Sequence, residues 1–377
     1  MGFEVRKYDK NIIVMTKRKI LHISYGGLGS GGVASVIHSI SESLKDYFDF
    51  QCVVFRKKGS SEEQFAKYGK VHRINCYNQT GLRKLLDIIL RPFIMTICCY
   101  KICKEEKIDI IHCHNGYEEA YFLLGAKVAG VKNRIAHSHN TNSPISPSLL
   151  KKFTNIFHRF LINKLATVKI GCSQQACDDF FHTTNTYVIY NAIDLNRFKW
   201  QRKPHDRLCF LNVGRYCYQK NQSFVIDVFN EILKGNSDAV LKLVGFGEDE
   251  KFLRNKVHIM GLEKSVFFVD GRNADIPSVY SEADVMIFPS TFEGFGIVLI
   301  EAQATGCYVF ASDVVPKATD IGLMTRLSLN KSENEWAQII CDNMIKVREG
   351  KYEYIHDKLS KFDINIISQQ YKKLYDK

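Results

Sequence analysis

Residues Phe288–Asp313 read FPSTFEGFGIVLIEAQATGCYVFASD. Asp284–Phe288 is an apolar run of strand length, and Tyr308–Ala311 is a second. A Gly-rich turn and a short apolar helix lie between them, so the unit is strand, turn, helix, strand. This order predicts neighbouring strands of a parallel sheet. Two glutamates stand eight positions apart, Glu293 in the turn and Glu301 in the helix. Gly294 and Gly296, on either side of Phe295, let backbone N–H groups at a helix N-terminus approach a ligand closely. Glu301 follows Ile297-Val298-Leu299-Ile300 and precedes Ala302, so its helix offers little polar face. An ionised carboxylate there costs on the order of a few kcal/mol unless it is hydrogen-bonded. A ligand rich in hydroxyls would satisfy it, as would an unseen Lys or Arg or the exposed end of the helix. The adjoining turn favours the ligand.

The same alternation extends in both directions. Upstream, Cys209–Val213, Val240–Val244 and Val266–Val269 read as strands, with helices over Ser223–Leu233 and Asp249–Met260. Before a polar linker at 198–206 comes another series: strands Lys19–Tyr25, Gln51–Phe55, Asp109–His114, Arg134–His139, Thr167–Cys172 and Tyr187–Tyr190, and a helix over Val33–Leu44. Ile364–Tyr375 reads as a last helix. Strands alternating with helices indicate α/β architecture with parallel sheets covered on both faces. The expected domains are 1–195, 196–360 and a helical segment 361–377 packing back on the first. Ligands of such sheets bind beyond the carboxyl ends of the strands.

Several motifs fall at those ends. Gly27, Gly29 and Gly32 form G-x-G-x-x-G between a strand and a helix, the context of a dinucleotide-binding turn. The acidic residue expected after the next strand is missing, since Arg56, Lys57 and Lys58 follow Phe55. That disfavours a nicotinamide enzyme and leaves a turn suited to a diphosphate or a sugar. Gly214-Arg215 ends one strand and Lys220-Asn221 opens the next helix, so two cations are expected to converge near a helix N-terminus, as a diphosphate requires. Gly245 and Gly271-Arg272 end the following two strands. His112 and His114, and likewise His137 and His139, alternate on one face of a strand. Two such pairs could make a metal site, but the chain lacks a D-x-D motif of the kind that holds a divalent ion, so no metal and no cofactor is expected.

Taken together, P-S-x-x-E-G-F-G with Glu293 and Glu301, the G-R…K-N pair and Asn191-Ala192-Ile193-Asp194 resemble the retaining glycosyltransferases of GT-B fold. The similarity is to the large bacterial group 1 and family 4 type that builds surface polysaccharide. The resemblance covers roughly Ile20 to the C-terminus and implies two Rossmann-like domains with parallel sheets facing across a cleft. It implies a nucleotide-sugar donor, commonly UDP-linked, held by the second domain. Lys220 and Arg215 would neutralise the leaving diphosphate, Glu301 would bind the ribose and Glu293 the transferred sugar. Residues 271–272 would lie near the base. His139 would face donor sugar and acceptor, with His114 a second candidate. Ala192 departs from the commoner Gly of the hinge motif.

Charge and composition bound the remainder. Residues 1–195 hold 27 Lys and Arg against 16 Asp and Glu, whereas residues 196–377 hold 25 against 24. The basic excess sits in the first half and calls for an anionic partner there. The resemblance implies a polyprenyl-diphosphate-linked glycan acceptor at the inner face of the plasma membrane, which suits that basic half, and no nucleic acid is expected. The 12 cysteines show no C-x-x-C spacing and sit among apolar residues, as in a reducing, cytoplasmic compartment. No signal-peptide core opens the chain. Leu85–Cys103 is the most apolar stretch, but Asp87, Arg91 and Pro92 break it. It is expected to be a core helix rather than a span, with a membrane-surface helix near Arg83, Lys84 and Arg91 as the other reading. Two rival functions remain open at this point: an epimerase of nucleotide sugars on the same fold, and a non-catalytic basic protein that binds membrane or nucleic acid.

Overall fold

A computed structural model describes residues 17–24, 27–29, 31–55, 59, 61–74, 81–114, 116–141, 148–199, 207–349 and 356–377. The N-terminal extension, Gly26, Arg56, Lys57, Lys58, residues 200–206 of the linker and the side chains of Arg83 and Lys84 lie outside the described residues.

Two all-parallel sheets organise the chain. The first contains β1 (Arg18–Ser24), β2 (Phe48–Val54), β3 (Gly69–Arg73), β4 (Ile110–His114), β5 (Asn133–Ser138), β6 (Val168–Gly171) and β7 (Tyr187–Val188) in the order β3-β2-β1-β4-β5-β6-β7. The second contains β8 (Cys209–Val213), β9 (Val240–Gly245), β10 (Val266–Asp270), β11 (Val285–Phe288), β12 (Tyr308–Ser312) and β13 (Met324–Leu327) in the order β10-β9-β8-β11-β12-β13. Each order reverses once, between β1 and β4 and between β8 and β11. These are the switch points at which doubly wound sheets open a ligand crevice. The two sheets and their helices are the GT-B architecture.

The helices are α1 (Gly32–Leu44), α2 (Glu62–Phe65), α3 (Gly81–Glu105), α4 (Glu119–Val128), α5 (Leu149–Leu165), α6 (Gln174–Phe181), α7 (Gln222–Leu233), α8 (Glu250–Ile259), α9 (Ile276–Ser281), α10 (Ile297–Ala304), α11 (Glu333–Glu349), α12 (His356–Ser360) and α13 (Ile364–Tyr375). Central strands β4, β8 and β11 are buried along their whole length, which explains the apolar run of β11, the single polar residue (Asn212) of β8 and the burial of both histidines of β4. The sequence reading missed β3 and β13. Both are edge strands, and neither GKVHR nor MTRL carries an apolar run.

α3 is a core helix along one side and exposed along the other. Met95, Cys99 and Cys103 are in the core, whereas Leu90, Phe93 and Ile97 are exposed. Among the described residues no helix is long and apolar enough to cross a membrane.

α13 does not stay with the second sheet. It packs on α1, and Ile367, Tyr371, Leu374 and Tyr375 join the core of the first sheet. The Tyr375 hydroxyl lies 2.8 Å from His112 Nδ1, and Asn133 donates to the Leu374 carbonyl at 3.0 Å. The chain therefore passes between the halves twice. The passages touch where Ile193 pairs with Asp363, Ile193 N–H donating to Phe362 O and Ile364 N–H to Ile193 O.

Candidate active site

The segment after β8 and the segment after β11 meet at the switch point of the second sheet. Thr291 N–H donates to Gln219 O at 2.9 Å, the Gln219 amide donates to Phe292 O at 2.9 Å, and Asn221 donates to Pro289 O at 3.3 Å. This lacing fixes Lys220 beside Glu293. Their ammonium and carboxylate form an ion pair, with the ammonium also 4.8 Å above the Phe288 ring. Glu293 is 6% exposed. At that burial a lone charge on either side chain would be costly, and each answers the other.

Gly294 and Gly296 answer different demands. Gly296 has φ +79°, the left-handed backbone that turns the chain into α10. A Cβ on Gly294 would lie 1.9 Å from the His139 carbonyl oxygen, so a glycine is needed where the two halves meet here. Thr141 donates to Glu293 O at 3.1 Å and Ser173 to Gly294 O at 2.8 Å, while the Ser173 hydroxyl also caps α6 by accepting from Ala176 N–H. The Glu293 turn is thus fastened to the carboxyl end of the first sheet. Gly294→Ala should force the halves apart and lower kcat/KM on the order of 10²-fold. The expected loss of stability is only about 1–3 kcal/mol. Kinetics and a melting curve on one preparation separate the two.

Glu301 faces back toward α9, where the Tyr280 hydroxyl donates to it at 3.0 Å. Desolvation raises its pKa to about 7, opposed by that hydrogen bond and by the charge of Arg197. It stands near the boundary between acid and carboxylate at neutral pH, a state that hydroxyl donors from a ligand would tip toward the anion.

On the first sheet, five histidines come together: His22, His112, His114, His137 and His139, each less than 7% exposed. His139 Nε2 lies 3.0 Å from His114 Nδ1, and His114 Nε2 lies 2.8 Å from His22 Nδ1. In parallel, His137 Nδ1 lies 3.2 Å from His112 Nε2. Burial pushes every one of these pKa values down, His139 to about 4 and His22 to about 3, so the rings are neutral at pH 7. His22/His112/His114 and His114/His137/His139 bring ring nitrogens within 4.8 Å of one another, close enough for a metal ion. In the structure those nitrogens largely engage one another. His22 escaped the sequence reading because a lone His in KILHISY looks like a strand residue without a partner. Only the pairing of β1 with β4, which sets His22 opposite His112, reveals it.

Other candidates lie around this centre. Arg215 is exposed and ion-paired to Glu248 at 2.8 Å, on the rim after β9. Gly214 N–H donates to Val244 O at 3.0 Å, which holds the ends of β8 and β9 together beside Gly245. Gly271 closes β10, and Arg272 is paired to Asp270 at 2.6 Å and lies 5.0 Å over the Phe246 ring. Gly27 has φ +78° and its carbonyl accepts from Ser24 at 2.8 Å. A Cβ on Gly29 or Gly32 would meet nothing within 4 Å, so this turn presents open backbone at the switch point of the first sheet.

Comparison with known proteins agrees with this geometry. Residues 194–322 match the family model "Glycosyl transferases group 1", and residues 30–197 match "Glycosyltransferase Family 4". Over 92% of its length, and 92% of the relative's, the chain is 24% identical to the putative glycosyltransferase EpsF of Bacillus subtilis. It is 27% identical to an Escherichia coli UDP-Gal:alpha-D-GlcNAc-diphosphoundecaprenol alpha-1,3-galactosyltransferase over 63% of this chain and 70% of that one. Among solved structures, Anabaena HepE in complex with UDP and glucose superposes with a TM-score of 0.76 at 21% identity, covering 95% of this chain and 99% of that chain. The two matches together span residues 30–322, all of both sheets except β1 and β13, and the chain belongs to the GT-B glycosyltransferases of the group 1 and family 4 type.

Proposed function

We propose that this glycosyltransferase moves a hexose or N-acetylhexosamine from a UDP-linked donor to a lipid-diphosphate-linked saccharide, in the synthesis of surface polysaccharide, with retention of anomeric configuration. The observation that carries the reading is the buried Lys220–Glu293 ion pair at the switch point of the second sheet, laced against His139 of the first.

The pair makes physical sense as a site waiting for its ligand. Without donor, each ion neutralises the other. With donor, the ammonium turns to the diphosphate and the carboxylate accepts from sugar hydroxyls, so neither charge is ever buried alone. The N-terminus of α10 adds backbone N–H groups to the same anion. Arg215 joins by exchanging Glu248 for phosphate, which its exposure permits. Glu301 receives the ribose hydroxyls, and residues 271–272 flank the base.

Catalysis then rests on stabilising charge as the diphosphate departs, with cations of the chain itself and no metal ion. No carboxylate is assigned as a covalent nucleophile. The acceptor hydroxyl attacks on the face the diphosphate leaves, and the neutral His139 lines that approach. The relatives support the acceptor class: the Escherichia coli enzyme above names a diphosphoundecaprenol substrate, and so does a Campylobacter jejuni relative at 25% identity over 76% of this chain. Such an acceptor places the enzyme at the cytoplasmic face of the membrane, peripherally bound.

Thermal-shift titration against a panel of nucleotide sugars tests the core of this. A UDP-sugar at about 100 times its Kd should stabilise the protein by about 2.7 kcal/mol. No shift with any member of the panel would end the reading. Turnover of the donor to an epimer without acceptor would replace it by the epimerase.

A further inference from the structure

The outer helical layer of the first sheet carries an apolar face that no described residue covers. On α5, Leu149, Leu150, Phe153, Ile156, Phe157 and Phe160 are 55–75% exposed. Their spacing sets all six on one side of the helix, while Ile162 and Leu165 reach the core. α4 packs against α5 and shows Leu124 and Val128, and α3 packs against α4 and shows Leu90, Phe93 and Ile97. Isolated exposed apolar residues are ordinary on a protein surface, but a face continuous over three helices marks an interaction site.

Charge narrows the partner. α5 carries the exposed Lys151, Lys152 and Lys164 and no acidic residue, while its Arg159 turns inward to His182 and the Tyr117 hydroxyl. Lys101, Lys104 and Lys127 are exposed on the two neighbouring helices. Large apolar side chains flanked by lysines are what a helix lying in the plane of an anionic bilayer presents. A twofold pairing of α5 on its own copy would set its lysines against one another, with no carboxylate on α5 to answer them.

We infer that the α3–α4–α5 face docks the enzyme on an anionic lipid bilayer, α5 lying among the headgroups with its phenylalanines at the acyl boundary. This rests on the lipid-linked acceptor proposed above, and it supplies what that acceptor needs. α5 begins shortly after Thr141, which hydrogen-bonds the Glu293 turn. Thr141 and Ser148, the α5 cap, are seven positions apart, a chain span of at most about 25 Å. The bilayer surface and the reacting centre are therefore held within one short reach.

Vesicle flotation of the full chain tests it, with phosphatidylcholine alone and with phosphatidylcholine mixed with phosphatidylglycerol. The wild type should float with the anionic vesicles and at least tenfold less with the neutral ones, and added salt should weaken binding. Phe153→Ser combined with Ile156→Ser and Phe157→Ser should lower anionic-vesicle binding at least tenfold. Lys151→Glu with Lys152→Glu should do the same, since each cation near such a surface strengthens binding about fivefold.

Both variants change exposed residues, so their melting temperatures and their response to UDP-sugar should match the wild type. Unchanged flotation of the apolar variant, or no flotation of the wild type, overturns the inference. So does a wild-type dimer in solution that the apolar variant converts to monomer without any vesicle binding. Flotation as described, but with no melting shift by any nucleotide sugar, leaves the docking face standing and refutes the donor reading instead.

Discussion

Lys220→Met is expected to cut turnover by about 10²–10³-fold and to destabilise the fold by about 3 kcal/mol, the low end for breaking a buried pair because Lys220 keeps some access to water. The two losses have different origins. Stability falls because Glu293, 6% exposed, is left ionised without a partner or must take up a proton. Turnover falls because nothing replaces the ammonium at the departing diphosphate. The double variant Lys220→Met/Glu293→Gln separates them: with no unpaired charge it should recover most of the melting temperature while staying catalytically silent. Steady-state kinetics and chemical denaturation of both variants check this. A Lys220→Met enzyme with wild-type kcat would remove the lysine from the chemistry and leave it a structural counter-ion.

The second large effect is a pH dependence of donor binding governed by Glu301. Its folded pKa is raised to about 7, above the ordinary carboxylate value, chiefly by desolvation. A raised carboxyl favours the folded state when protonated. Its contribution to stability is therefore fully present below about pH 4.5 and is lost as pH rises through about 7. Ribose hydroxyls that donate to this group need it ionised, so binding runs the other way. UDP affinity should rise by up to about tenfold per pH unit between about pH 5 and about pH 7 and then level off. Calorimetry in buffers of different ionisation enthalpy should detect a proton released on binding near pH 6. Glu301→Gln should abolish both the slope and the proton release. A flat affinity profile in the wild type would take the ribose contact away from Glu301.

The fold was readable because its deciding signals are local. Central parallel strands are buried on both faces, so Cys209–Val213 and Asp284–Phe288 announce themselves as apolar runs, and Gly294 and Gly296 mark the turn between strand and helix. Lys220 and Glu293 were each visible at a strand end, and the switch-point topology joined them.

What sequence could not show depends on distant partners. Arg215 lies five positions before Lys220, but its ion pair is with Glu248, across the end of the neighbouring strand. Tyr280, which satisfies Glu301, stands on a six-residue helix that had drawn no attention. The histidine cluster needs the register of three strands, and periodicity within any one of them shows at most two of its members. The apolar stripe of α5 is plain in its spacing, but a stripe says only that a helix has such a side, not that the rest of the molecule leaves it bare.

The return of α13 to the first sheet has a consequence for biogenesis. Tyr371, Leu374 and Tyr375 complete a core whose other members, among them Ile20 and Phe50, leave the ribosome some 300 residues earlier. Until that helix arrives, the nascent half holds an open apolar trough along α1, and the intervening half must fold beside it first. The core of the first sheet is thus completed only after the second half has emerged, and a chain released before residue 364 would expose that trough to chaperones and proteases.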